Sequence, residues 1–211
     1  MAPQPAAPSP PPVAEVIESS TRHVVAEVLR GQEAPPFGSW VEIEAADGTV
    51  LYGLVSHAET GSVEPGRQAV ALGRSRDDLR REMPHVFELI RTTFRAVVLG
   101  YWDGRSRTAE GEPRVLQTLP PRPAALHDFV RCCAPDAVAR LGAPYDFLRS
   151  LATFPDPAVP ADDLLAAVLR GLRRAHGEGD AGRRAVLDAG RALARLLHDD
   201  HERLQSILRR V

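Results

Sequence analysis

Apolar and polar residues alternate through much of the first half of the chain. The stretch 35–55, PPFGSWVEIEAADGTVLYGLV, alternates on both sides of Asp47-Gly48. An Asp-Gly pair between two alternating arms is typical of a β-hairpin. The sequence therefore predicts strands at 40–44 and 49–55, joined by a tight turn.

Other short apolar segments lie between glycines and prolines. They predict strands at 24–29, 69–72 and 93–101, the last being the longest apolar strand. Between these, residues 76–91 have the spacing of one or two helical turns, with a break at Pro84. Short strands separated by Gly and Pro turns favour a small closed β-barrel.

The period becomes helical after the segment 119–123, LPPRP, which predicts a rigid connector because each proline fixes its own φ. Helices are predicted at 136–141, 145–154, 162–176 and 181–210. The sequence thus predicts an α+β protein in three parts. These are a disordered proline-rich lead-in at 1–14, a β-barrel domain at 15–118 and an α-helical domain at 119–211.

The predicted last helix carries apolar residues at spacings of three, four and seven. They are Val186, Leu193, Leu197, Leu204, Leu208 and Val211. Such a stripe needs a partner surface. That surface could be the preceding helix, the barrel or a second chain.

The basic residues exclude two kinds of chemistry. The chain has 211 residues, a formal net charge of −2 and 26 basic residues, all of them arginine. A Walker A loop needs lysine to reach the nucleotide phosphates, and a Schiff-base enzyme needs a lysine amine. Neither site can be built from this chain.

Cysteine usage and the chain start bear on the compartment. The two cysteines, Cys132 and Cys133, are adjacent, a placement that strains a disulfide. His127 and Asp128 just before them hint at a Cys/His nucleophile, but no oxyanion-hole signature appears, so a role as small buried side chains is favoured. We expect no disulfide framework, no signal peptide and no membrane-spanning segment. The predicted location is cytoplasmic.

Four segments share a pattern of glycines and strands: PFGSWVEI at 36–43, LYGLV at 51–55, ALGR at 71–74 and RAVVLGY at 95–101. In glycine placement and strand pattern, roughly residues 16–125 resemble the HAS-barrel family. Its members are six-stranded barrels at the N-termini of HerA-type translocase ATPases.

The resemblance implies a barrel that docks on a protein partner, as such barrels do in ring assembly. In the ATPases a P-loop core follows the barrel. Here helices follow it, and the chain contains no lysine for a Walker A motif. The resemblance therefore implies a stand-alone docking barrel rather than a motor.

Two motifs near the C-terminus have structural interpretations. Residues 177–182, GEGDAG, match a dinucleotide fingerprint but join two predicted helices, so we expect an interhelical turn. His198 and His201 stand at i, i+3 beside Asp199 and Asp200, yet a metal needs three or four converging ligands. A solvated or dimer-facing helix turn is favoured over a metal-dependent hydrolase, which stays open as a third function.

Charge and aromatic content bear on nucleic acid. Residues 161–211 hold ten arginines and eight acidic residues, which favours a salt-bridged exposed face over phosphate contacts. Four aromatic residues could form a stacking platform, although ordinary barrel packing is preferred. They are Trp40, Tyr52, Tyr101 and Trp102.

We therefore expect a non-enzymatic assembly or adaptor protein, with no cofactor and no metal. The expected partner is either another protein, such as a HerA-type ATPase or a DNA-processing complex, or a second copy of the chain. The predicted partner-binding residues are Trp40, Tyr52, Arg74, Leu193, Leu197, Leu204 and Leu208. The alternative is a nucleic-acid-associated accessory protein whose barrel-loop arginines, Arg67, Arg74 and Arg76, contact phosphates.

Overall fold

The N-terminal part of the chain is a closed, six-stranded antiparallel barrel. A computed structural model describes residues 10–62, 70–177 and 179–211. The strands are β1 (Ala14–Ser19), β2 (His23–Val28), β3 (Trp40–Glu44), β4 (Val50–Ser62), β5 (Ile90–Trp102) and β6 (Phe129–Cys132). Their order round the barrel is β1-β2-β5-β4-β3-β6, and β6 pairs back onto β1. The predicted closed barrel is confirmed.

The Asp47-Gly48 hairpin forms where the alternation places it. β3 and β4 pair from Trp40↔Leu54 to Glu44↔Val50. At the turn, Gly48 has a φ of +80°, a conformation that glycine adopts without steric cost. The Asp47 carboxylate accepts the Thr49 N–H at 2.9 Å.

β4 and β5 are longer than predicted and extend past β3 as a two-stranded arm. They remain paired as far as Ser62↔Ile90. The predicted strand at 69–72 is wrong for 70–72, which form no strand, while residue 69 lies outside the described residues. Val70 and Leu72 are exposed.

The sequence pattern did not predict two of the strands, β1 and β6. β1 lies at the end of the proline-rich lead-in, where the Val13 N–H donates to the Val130 carbonyl at 2.8 Å. β6 lies in the segment assigned to the helical domain, so barrel strands occur on both sides of the connector at 119–123. β6 is needed for closure because it bridges β1 and β3.

The C-terminal part is helical, as predicted. The helices are α1 (Arg76–Glu82) and α2 (His85–Glu88) at the arm, then α3 (Pro135–Arg140), α4 (Phe147–Ala152), α5 (Ala161–His176), α6 (Asp180–Leu196) and α7 (His201–Leu208). The single predicted helix at 181–210 is wrong, since it is interrupted between α6 and α7. The Asp200 side chain caps α7 by accepting the Arg203 N–H at 3.1 Å, which favours a new helix start.

Two hydrophobic cores organise the chain. One fills the barrel with inward side chains such as Val16, Val41 and Phe94. The second lies outside the barrel, where outward side chains of β3, β4 and β5 pack against α3 to α7. Gly38, with a φ of +77°, lets α5 approach the barrel, because a Cβ there would collide with Ala167.

No helix among the described residues combines the length and apolarity needed to cross a membrane.

Candidate docking surface

The aromatic residues predicted to bind a partner lie under the helices. Trp40 and Tyr52 point outward from β3 and β4 and are 5% and 4% exposed. The Trp40 ring meets the Phe147 ring edge-on, with centroids 5.4 Å apart. Trp40 therefore joins the barrel to α4, Tyr52 lies in the same core, and neither side chain forms a free surface in the folded chain.

Tyr101 and Trp102 lie near the end of β5 and form no stacking platform with Trp40 and Tyr52, which are covered. The Trp102 indole N–H donates to the Ser106 carbonyl at 2.9 Å. The Arg107 guanidinium lies over the Trp102 ring, 4.7 Å from its centroid.

The predicted leucine stripe is mostly internal. Leu193, Leu197 and Leu204 are buried in the core outside the barrel. Leu208, near the end of α7, is exposed. The sequence offered the preceding helix, the barrel or a second chain as the partner of this stripe. The buried leucines pack within the chain's own helical core.

The barrel-loop arginines are engaged within the chain. Arg74 forms an ion pair with Glu82, and the Arg76 guanidinium lies over the Phe87 ring at 6.0 Å from its centroid. Arg67 lies outside the described residues. Because a phosphate contact needs uncompensated positive charge, the pairing of Arg74 does not favour the nucleic-acid alternative.

A polar cluster marks the seam between β3, β4 and α3. Burial raises the pKa of Glu42, against the effect of the Arg131 and Arg140 guanidinium groups. Burial also raises the pKa of Tyr52 to about 12 and holds the pKa of Cys133 well above its ordinary value. A thiol with a raised pKa is a poor nucleophile at neutral pH, which agrees with the predicted structural role of Cys133.

A cleft of about 590 Å³ opens beside this seam. One wall is the loop that follows β5, and the other is the turn between α3 and α4. The Gln117 side chain joins the walls, since its amide donates to the Gly142 carbonyl at 2.7 Å. Arg107, Arg114 and Arg140 line the cleft together with Glu112 and Asp146, so positive charge there is largely offset.

The two histidines lie at the interruption between α6 and α7. His198 Nε2 is 3.0 Å from the Asp199 carboxylate, and His201 begins α7. Within the described ranges, no group of three or more His, Cys, Asp or Glu could hold a metal ion. The GEGDAG motif connects α5 to α6, with Gly177 as the C-cap of α5 and Gly179 as the N-cap of α6.

The outward faces of β1, β2 and β6 form a surface, which we call the open wall, that the sequence pattern did not predict. Its exposed apolar side chains are Ile17 at 39% and Phe129 at 46%, beside Leu126 at 58% in the adjoining loop. Phe129 pairs across strands with Glu15, which in turn pairs with Glu27 on β2. The open wall therefore combines apolar side chains with a row of carboxylates.

Residues 127–133, HDFVRCC, do not alternate strictly between apolar and polar, so the sequence carried only a weak signal for this surface. Val130 points into the barrel, whereas Phe129 and Arg131 point outward. The segment follows a proline-rich connector and is only four residues long as a strand, so the helical period around it concealed the pattern.

The comparisons with known proteins agree with the barrel. A family model described as the HAS barrel domain matches residues 13–104. The match includes β1 to β5 and ends before β6 and the helices that cover the barrel. No curated protein matches the chain.

Proposed function

Because residues 13–104 match the HAS barrel domain model, we propose that the protein is a non-enzymatic assembly or adaptor module of the cytoplasm. Its barrel docks on a protein partner within a HerA-type ATPase or another DNA-processing complex. The chain cannot supply a Walker A lysine, so the motor activity belongs to the partner.

One observation carries this proposal. The chain's own helices cover the outer faces of β3, β4 and β5, while the open wall keeps Ile17, Leu126 and Phe129 exposed. Exposed apolar side chains grouped on one surface with polar surroundings are typical of a protein-binding surface. The open wall is therefore the docking face.

Reconstitution with the HerA-type ATPase of the same genome tests the proposal. The wild-type chain is expected to co-elute with the ATPase in size-exclusion chromatography. Phe129→Asp places a carboxylate in the patch and is expected to abolish co-elution. Leu208→Asp, at an equally exposed leucine on α7, is the matched control and is expected to retain it.

Two results would count against the proposal. One is a wild-type chain that does not bind the ATPase. The other is a Phe129→Asp chain that is folded, by its circular dichroism spectrum, and binds as well as wild type.

A further inference from the structure

The open wall is acidic as well as apolar. Glu15 and Glu27 are directly opposite on β1 and β2, and like charges at this position destabilise a sheet. Glu15 contacts His127, and Arg91 lies 3.9 Å from Glu27. Glu18 is 66% exposed and lies 3.6 Å from His23. The carboxylates are thus only partly compensated and would favour a cationic occupant.

The complementary chemistry lies on α6. Its outward face carries Arg184, Leu187, Arg191 and Arg195, which fall on one side of a helix at 3.6 residues per turn. Leu187 is 57% exposed. The opposite side, with Ala185, Ala189 and Leu193, is buried in the helical core.

Part of the positive charge on α6 is uncompensated. Arg191 pairs with Asp188 at 3.1 Å, and Arg183 lies 3.9 Å from Asp180. Arg184 donates to the Asp180 backbone carbonyl at 3.3 Å. In the described part of the chain, neither Arg184 nor Arg195 has a carboxylate partner.

The two surfaces lie on opposite sides of the molecule. The helices sit on β3, β4 and β5, across the barrel from β6, β1 and β2. α6 packs on α5 and α4 and turns its arginine face outward. One chain therefore cannot bring its own α6 onto its own open wall, whereas a second copy can.

Resting on the proposed docking role of the open wall, we infer that the open wall of one copy binds the outward face of α6 of a second copy. Leu187 of α6 packs between Ile17 and Phe129. Arg184, Arg191 and Arg195 face the carboxylates of Glu15, Glu18 and Glu27. Such a contact is heterologous, so copies associate head to tail.

The size of the surfaces sets the expected strength. One helix on three short strands buries less than the roughly 800 Å² per partner of a standard stable interface. Charge complementarity compensates in part and makes the contact salt-sensitive. We expect reversible association that weakens by about tenfold or more when the ionic strength rises from low to roughly 0.5 M.

A complementation experiment tests the inference. Phe129→Asp removes the open wall and keeps α6, whereas Leu187→Asp removes the α6 face and keeps the wall. In light scattering, each variant alone is expected to be monomeric at concentrations where wild type associates. An equimolar mixture is expected to form dimers and nothing larger, because each dimer uses the one intact wall and the one intact helix. Leu208→Asp is expected to associate like wild type.

The outcomes separate this inference from the proposed function. A monomeric wild-type chain at every concentration and low salt, or a mixture that stays monomeric, would overturn the head-to-tail contact. The ATPase and the second copy would compete for the same open wall. Leu187→Asp retains that wall and cannot occupy the wall of another copy, so co-elution of this variant with the ATPase tests the proposed function separately. If Leu187→Asp associates as wild type does, α6 is not the occupant.

Discussion

The two halves of the barrel's outer surface have opposite fates. Outward apolar side chains of β3, β4 and β5, such as Trp40, Tyr52 and Leu99, are covered by the chain's own helices. Those of the open wall mix carboxylates with Ile17 and Phe129 and remain exposed. The same closed sheet thus acts as a structural core on one side and, by our proposal, as a recognition surface on the other. Mutations on the covered side should mainly lower the stability of the fold, whereas mutations on the open wall should mainly weaken association.

The largest expected difference is between Trp40→Ala and Phe129→Ala. Trp40 is fully packed against Phe147, and truncation of a buried tryptophan costs about 3–5 kcal/mol of the free energy of unfolding. Phe129 is half exposed, and its truncation should cost no more than about 1 kcal/mol. Urea denaturation measures both. Equal losses would show that the open wall is also part of the core.

Trp40→Phe is a control for packing. The Trp40 indole N–H is buried without a hydrogen-bond partner among the described residues. Replacement by phenylalanine should therefore cost less than replacement by alanine, because most apolar contact is kept and no hydrogen bond is lost.

The second comparison is between two arginines that hold α7 and the chain end against the other helices. The Arg203 guanidinium donates to the Asp162 carboxylate at 2.8 Å and to the Ala152 carbonyl at 3.1 Å, and so joins α7 to α5 and α4. Because this group is only partly exposed, we expect Arg203→Ala to cost about 1–2 kcal/mol. Arg210→Ala removes the more exposed pair with Asp163 and should cost less than about 1 kcal/mol. The reverse order in urea denaturation would contradict this account.

A smaller effect of the opposite sign is expected on the open wall. Glu27→Gln removes one of two carboxylates that face each other across β1 and β2. We expect a gain of about 0.2–0.5 kcal/mol in the free energy of unfolding at low salt, with weaker self-association. The gain should vanish near 1 M salt, where the charges are screened. Destabilisation by Glu27→Gln would show that the pair with Arg91 outweighs the repulsion.

The smallest expected effect lies at Glu42 on β3, the strand next to β6 of the open wall. Its pKa is raised by burial, so the folded state binds the proton more tightly than the unfolded state. Its ionisation therefore destabilises the fold as pH rises through the raised pKa. Glu42→Gln should be more stable than wild type at pH 7, and this advantage should disappear below the ordinary pKa of glutamate. A pH-independent difference in thermal unfolding would argue against a buried carboxyl.

Local sequence patterns predicted much of the fold. The Asp47-Gly48 hairpin and the long strand ending near Tyr101 depend on turn chemistry and alternation within a few residues. β6 depends on pairing with β1 and β3, which lie far away in sequence, and so its four residues gave little signal. The break before α7 depends on one capping carboxylate, Asp200, that had been assigned to a continuous helix.

The docking surface was harder to foresee because amphipathic strands do not reveal which layer covers them. Trp40 and Tyr52 are large aromatic side chains for which the sequence offers both partner binding and ordinary barrel packing. Only the packed structure shows that α4 and its neighbours cover them. Phe129 is exposed on β6, and the sequence alone does not show which strands the helices leave uncovered.

Hydroxyl-radical footprinting tests most directly whether one side of the barrel is covered and the open wall is exposed. The oxidation of Trp40, Leu126 and Phe129 would be measured by mass spectrometry in the free chain and in the assembled state isolated by size exclusion. We predict that Trp40 is protected in both states, whereas Leu126 and Phe129 are oxidised in the free chain and protected on assembly. Equal oxidation of Phe129 in both states, or ready oxidation of Trp40 in the folded free chain, would contradict the account.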